Sequence, residues 1–309
     1  MRRRLWIAGA ILAVVGLGLA VTIEGDIPRE QVEQRYVDVS SRFEVVDGLR
    51  MHIREWGDPD APALLLLHGQ SDNAYSFDRW GAALGERFHV VAPDLPGHGL
   101  TGPDADGRYS WEVMAGLVAA LAEQLGLERY AVGGNSLGGA VAARLALDHG
   151  ENVAGLVLID AIGFPRAEPV PLALQAYAWP VTGDMMTVMT PPFVVEMSLA
   201  SSFGDAGRLD RGHALRLHDL MLREGNRAAA RQVLQQSLGR VFEDLDRIPV
   251  PTLVLWGEKD PWTPSHYADW FGEQIAGAEV VVMPGIGHQP MVEAAAESAA
   301  PVAAFLERL

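Results

Sequence analysis

Short apolar runs bounded by Gly, Pro and Asp recur along this chain, at residues 63–67, 89–92, 130–133, 155–159, 252–256 and 279–283. Runs of that length, rich in Val, Leu and Ile, read as buried β-strands. Stretches of helical character separate them, and this alternation predicts a mostly parallel sheet covered on both faces by helices. Ahead of these runs, Tyr36-Val37-Asp38-Val39 and Leu49-Arg50-Met51-His52-Ile53 flank Val46-Asp47-Gly48. Asp-Gly in such a setting is a strong hairpin signal, so the sheet is expected to begin antiparallel and to hold eight strands.

The strand pattern stops between residues 162 and 247. That interval carries Pro165, Pro169, Pro171, Pro180, Pro191 and Pro192, with helical stretches at 212–222 and 227–238. It reads as a helical cap inserted between two core strands. Trp179, Met185, Met186, Met189, Phe193 and Met197 gather near its start. Two readings stand for this set: it packs the cap on the core, or part of it (Trp179, Met185, Met186, Met189 and Phe193) lines a substrate pocket, since flexible methionines adapt to varied apolar shapes. An alanine-rich stretch at 294–304 reads as part of a terminal helix, and there are no internal repeats.

The chemistry concentrates after the strand at 130–133. Gly134-Asn135-Ser136-Leu137-Gly138 is a G-x-S-x-G sequence between a strand and a helix, a sharp turn that exposes a serine hydroxyl. A serine needs a histidine to take its proton and an acid to orient that histidine. Asp260 follows the strand at 252–256, and His288 follows the strand at 279–283. In a parallel sheet those strand ends share one edge, so Ser136, Asp260 and His288 can converge. Asp160, at the end of the strand at 155–159, competes for the acid role. The main-chain N–H groups of Leu137, at a helix start, and Gln70, in the loop His68-Gly69-Gln70-Ser71, are the candidate oxyanion donors. His68 and His98 read as structural hydrogen-bonding groups; among the nine histidines His288 alone follows the last strand.

In these blocks, together with Asp94-Leu95-Pro96-Gly97-His98-Gly99, Gly257-Glu258-Lys259-Asp260 and Gly287-His288, the chain resembles the α/β-hydrolases, in particular their esterases, lipases and C–C-bond hydrolases. The order Ser, Asp, His is that of this superfamily. The resemblance spans roughly residues 36 to 309 and fades across the cap. It implies an α/β-hydrolase fold whose core runs over 36–161 and 248–309, with the cap at 162–247. It also implies a serine hydrolase that cleaves carboxylic esters with apolar acyl or aryl groups. Rival readings on the same triad are a C–C-bond hydrolase acting on a vinylogous diketone and a perhydrolase; a non-catalytic ligand sensor is a third. Serine at the elbow implies acyl chemistry, unlike the aspartate of dehalogenases and epoxide hydrolases.

Composition narrows the partners. A net charge of −16 argues against nucleic acid, and the substrate is expected to be a small-molecule ester. There is no cysteine and no pair of histidines with metal-ligand spacing, so neither a metal nor any other cofactor is expected. At the start, Arg2-Arg3-Arg4 precedes residues 5–23, which lack charge. At about 1.5 Å per residue that stretch comes close to the roughly 30 Å of a bilayer core. Residues 1–24 are therefore expected to form a transmembrane anchor that places the hydrolase outside the cytoplasm, with a cleaved signal peptide and a secreted or periplasmic product as the alternative. The polar residues 25–35 read as a tether.

Overall fold

The computed structural model describes residues 23–309. Its centre is an eight-stranded sheet in the order β1-β2-β4-β3-β5-β6-β7-β8. The strands are β1 (Ser41–Val46), β2 (Leu49–Trp56), β3 (Ala63–Leu67), β4 (His89–Pro93), β5 (Tyr130–Asn135), β6 (Val153–Ile159), β7 (Thr252–Gly257) and β8 (Glu279–Met283). β1 and β2 pair antiparallel, as do β2 and β4; the remaining pairs are parallel. The central strands are apolar on both faces, and β5 and β7 are buried along their whole length, which is what helices on both sides of a parallel sheet require. β8 lies at an edge and is mostly exposed.

Among the described residues twelve helices flank and cap the sheet: α1 (Arg29–Tyr36), α2 (Asp78–Leu84), α3 (Trp111–Gln124), α4 (Leu137–Asp148), α5 (Leu172–Ala178), α6 (Pro180–Met186), α7 (Pro192–Ser202), α8 (Arg211–Met221), α9 (Asn226–Ser237), α10 (His266–Gln274), α11 (Pro290–Glu293) and α12 (Ala295–Leu306). One core forms where α3, α4 and α10 cover the sheet, through Trp111, Leu121, Val141, Leu145 and Phe271. The other forms beneath α2 and α12, through Trp80, Val302 and Phe305. Ser110 starts α3 by accepting a hydrogen bond from the Val113 N–H at 3.3 Å, an N-cap that replaces a missing helical partner.

The helices α5 to α9 lie between β6 and β7 in sequence. Val195, Leu199, Phe203, Ala214 and Leu217 give this insertion a small core of its own. It is tied to the sheet by the Asn226 amide on the Gly99 carbonyl at 2.9 Å and by the Trp111 indole on Ser237 at 3.1 Å.

Three expectations change. The transmembrane helix, and with it the membrane partner and the single-pass location, is corrected: among the described residues no helix is long and apolar enough to cross a membrane. The span at 5–23 lies outside the described residues but for Ile23, which is exposed, non-helical chain. Secondly, residues 36–39 form no strand. Tyr36 ends α1, Val39 is fully exposed, and the hairpin strand begins at Ser41. The turn itself is where Asp-Gly places it: Val46 pairs with Leu49, and Asp47 and Gly48 have φ of 47° and 80°, the left-handed pair that a tight hairpin turn needs. Thirdly, the stretch read as a tether contains α1 and is docked. Val32 is fully buried with Tyr75, Leu100 and Leu220, and the Arg227 guanidinium bonds Asp26 at 2.6 Å.

Candidate active site

The parallel register aligns the strand ends that carry the chemistry. Leu67 is level with Gly134, Asn135 with Ile159, and Gly257 with Met283. The loops that follow therefore open on one edge.

Ser136 sits between β5 and α4 with φ of 54° and ψ of −113°. A non-glycine residue in that conformation is strained, and the surroundings hold it. Its N–H donates to the Ile159 carbonyl at 2.9 Å, and its carbonyl accepts from Ile162 at 3.2 Å. The turn also needs its glycines: a Cβ on Gly138 would lie 2.1 Å from the Leu67 carbonyl oxygen. Ser136 keeps 8% of its surface exposed.

His288 follows β8 and is buried. Its Nδ1–H donates to Asp260 Oδ2 at 2.6 Å, which leaves Nε2 free to take a proton. Its N–H donates to the carbonyl of Ser202, the last residue of α7, at 2.8 Å. The Trp262 ring lies against it at 5.0 Å between centroids. Asp260 is held by more than the histidine. Its Oδ1 accepts from the N–H groups of Trp262 at 2.7 Å and Thr263 at 2.9 Å, and its Oδ2 also accepts from the Thr263 hydroxyl. Burial pushes the Asp260 carboxyl up, but the His288 charge, its Nδ1–H and the Thr263 donors outweigh that and hold it below the usual carboxylate range. The Trp256 indole donates to the Thr263 carbonyl at 2.7 Å and pins this loop to β7.

Asp160, the other candidate acid, does not bond the histidine. Its Oδ1 accepts from the Gly257 N–H at 2.8 Å. Burial and the nearby Asp260 charge push its carboxyl well above the usual range. Among the described residues, Asp160, Asp260 and His288 are the one cluster close enough to share a metal ion, with ligand atoms within 4.8 Å of one another. Every Asp260 oxygen already accepts protein donors.

The Gln70 and Leu137 main-chain N–H groups have no acceptor among the described residues. The Gln70 side chain turns the other way and donates to the Ala230 carbonyl of α9 at 2.7 Å. His68 shapes this loop: Nε2 accepts from the Leu95 N–H at 2.9 Å, so Nδ1 carries the proton and donates to the Gly69 carbonyl at 2.8 Å. A cavity of about 10 Å³, the size of one water, separates residues 71–73 from Tyr177 and Arg227 of the cap.

The expected pocket residues lie on the cap. Trp179, Met185 and Phe193 are each at least half exposed, and Met186 and Met189 are half-buried. In this conformation they are surface positions of the cap rather than the wall of a closed cavity. Phe193 and Met197 line an open groove of about 410 Å³ with Ala200 and Leu209.

Three positioning contacts escape a reading of the sequence. Thr263 lies three residues past Asp260, a spacing at which Asp commonly caps a turn, and this was the visible signal. Asn135 lies inside the elbow motif; its amide reaches the His288 carbonyl at 2.9 Å. Glu293 has no sequence signal at all. It is buried, and its carboxylate accepts from the N–H groups of Gly287 at 2.8 Å, Gly204 at 3.0 Å and Asp205 at 2.8 Å.

Comparison with known proteins places this geometry. Lipase 3 of Moraxella sp. strain TA144 is 27% identical over 307 residues, 94% of this chain and 91% of the lipase. The crystal structure of a bacterial membrane phospholipase A is 29% identical, covers 99% of this chain and 98% of its own, and superposes with a TM-score of 0.75. A 2-hydroxy-6-oxo-6-phenylhexa-2,4-dienoate hydrolase from Rhodococcus sp. strain RHA1 has a TM-score of 0.77 at 22% identity, over 88% of this chain and 99% of its own, and shares the fold alone. The profile of the alpha/beta hydrolase family matches residues 64–305. With the sheet order, the strained serine turn and the acid and histidine loops in one place, the chain belongs to the alpha/beta hydrolase family.

Proposed function

We propose that this protein is a serine hydrolase that cleaves carboxylic esters with apolar acyl or aryl groups through Ser136, His288 and Asp260. The observation that carries the reading is the 2.6 Å bond from His288 Nδ1 to Asp260, with the neighbour of a serine held at φ of 54°, Asn135, bonded to the His288 carbonyl. Asp260 fixes the tautomer that leaves Nε2 as a base. His288 removes the Ser136 proton, and the alkoxide attacks the ester carbonyl. The Gln70 and Leu137 N–H groups, which have no protein acceptor among the described residues, receive the oxyanion. His288 then protonates the leaving alcohol, and water, activated by the same histidine, releases the acid. The ester class rests on the likeness to a lipase and a phospholipase, together with serine as the nucleophile.

A panel of p-nitrophenyl esters from acetate to palmitate, assayed with the full chain and with Ser136→Ala, tests this. Expected is hydrolysis that falls by orders of magnitude in the variant. A variant that keeps more than about a tenth of the activity overturns the mechanism. Absence of turnover on every ester, with turnover of a vinylogous diketone, moves the assignment to C–C-bond hydrolysis.

A further inference from the structure

We propose that Asp160 is a positioning residue whose Oδ2 carries a proton and hydrogen-bonds to the Asp260 carboxylate, holding that carboxylate against His288. The proposal rests on the reading of Asp260 as the acid of a working triad.

Asp160 ends its strand with φ of 44°, and its N–H donates to the Leu255 carbonyl at 3.1 Å. This presents the carboxyl beneath the catalytic edge, with none of the residue exposed. One oxygen is occupied by the Gly257 N–H. The other, Oδ2, is buried without any partner. The ionisable groups that face it are Asp260, His288 and Glu293.

Two carboxylates this close in a dry site cannot both hold a charge. The donors decide which one keeps it. Asp260 accepts from His288, the Thr263 hydroxyl and two main-chain N–H groups, whereas Asp160 accepts from a single N–H. The proton therefore belongs to Asp160. A buried acid whose free oxygen has no donor to accept from becomes a donor itself once that oxygen is protonated, and the anion within reach is Asp260. Burial with the Asp260 charge alongside favours the same neutral form.

The test uses the full chain and two variants. Asp160→Asn keeps a neutral donor and acceptor of the same shape, and Asn tolerates a left-handed φ. Asp160→Gly fits that φ without strain and removes the group. The infrared difference between parent and Asp160→Asn at mildly alkaline pH reads the protonation state without turnover. Loss of a protonated-carboxyl C=O stretch is expected; loss of an ionised-carboxylate band overturns the proposal. In ester hydrolysis, Asp160→Asn is expected within about threefold of the parent in kcat with the same pH profile, and Asp160→Gly about tenfold or more below it with KM nearly constant. The acidic limb of kcat/KM should rise in Asp160→Gly, because Asp260 without its donor turns a fuller charge on His288. A shared loss in both variants, or a parent-like Asp160→Gly, overturns the positioning role. Failure of the triad itself shows separately, as turnover that survives Ser136→Ala.

Discussion

The amide of Asn135, one residue before the serine, donates to the carbonyl of His288 at 2.9 Å and to that of Ile159 at 3.2 Å. Ser136 and His288, more than 150 positions apart in sequence, are thus joined by a side chain adjacent to one and the main chain of the other. Asn135→Ala leaves the His288 carbonyl without its donor, which typically costs about 1–3 kcal/mol, whereas the Ile159 carbonyl keeps the Ser136 N–H. A lower urea midpoint and a kcat reduced about tenfold are expected, with KM much less affected. Parent-like kcat in a stably folded variant would mean that the amide does not position His288.

Asp260→Asn is expected to lower kcat by about 10³–10⁴, because an amide opposite Nδ1 favours the wrong imidazole tautomer. Thr263→Val removes only the hydroxyl donor and should cost far less, about tenfold. Steady-state kinetics on one ester substrate compares the two, and equal losses would contradict the hierarchy of donors around Asp260.

Gln70 separates two roles by atom. Gln70→Ala keeps the main-chain N–H and loses only the side-chain bonds to the Ala230 carbonyl and the Ser71 hydroxyl. Gln70→Pro removes the N–H and should cost a further 10²–10³ or so in kcat, the usual size for one oxyanion donor. Circular dichroism of both variants checks that the loop change has not unfolded the domain, and an equal kcat in the two would remove Gln70 from the oxyanion hole.

Glu293 joins the residue before His288 to the loop that follows α7 in the cap, since Gly287, Gly204 and Asp205 all donate to it. Glu293→Ala strands three N–H groups and is expected to destabilise the fold by about 3 kcal/mol or more, read from denaturant unfolding. Glu293→Gln, which keeps one acceptor oxygen, should fall between the variant and the parent.

Stability should decline in acid in two stages. His98 is pushed down to about 3, first by burial and then by the His68 charge, from an ordinary value of 6.5. Between those values the unfolded chain binds a proton that the folded one refuses, so this contribution is present above 6.5 and is lost as the pH falls toward 3. Asp94 is held at about 2 although burial opposes it, because the His52 charge and the donors around it win. Its contribution is present above the ordinary 3.8 and is lost as the pH falls toward 2. Urea unfolding against pH checks both, with His98→Gln expected to flatten the upper stage and Asp94→Asn the lower. An unchanged slope in either variant would dismiss that group as the source.

The strand runs, the Asp-Gly hairpin and the serine turn were legible because each is a local pattern. Leu64 to Leu67 are apolar because both faces of β3 are covered, and the sequence 134–138 is glycine-rich because backbone passes within van der Waals distance of it. His288 was legible from its place after the last strand. Local pattern misled at residues 36–39, where alternation suggests a strand but α1 docks through Val32 and carries Tyr36 into a helix. Local pattern favoured Asp260 through its Gly-x-x-Asp-Pro setting but left Asp160 a competitor, since both follow a strand at the same edge. Only the tertiary structure separates their surroundings, by placing four donors around one carboxylate and a single N–H on the other. Glu293 makes the same point: two of its three partners, Gly204 and Asp205, come from a loop far away in sequence, brought to it by the fold. The sequence by itself determined the elements and the residue types that can do acyl chemistry. Folding determined which of those residues carry a charge, because burial and neighbours, rather than spacing, set the cost of ionisation.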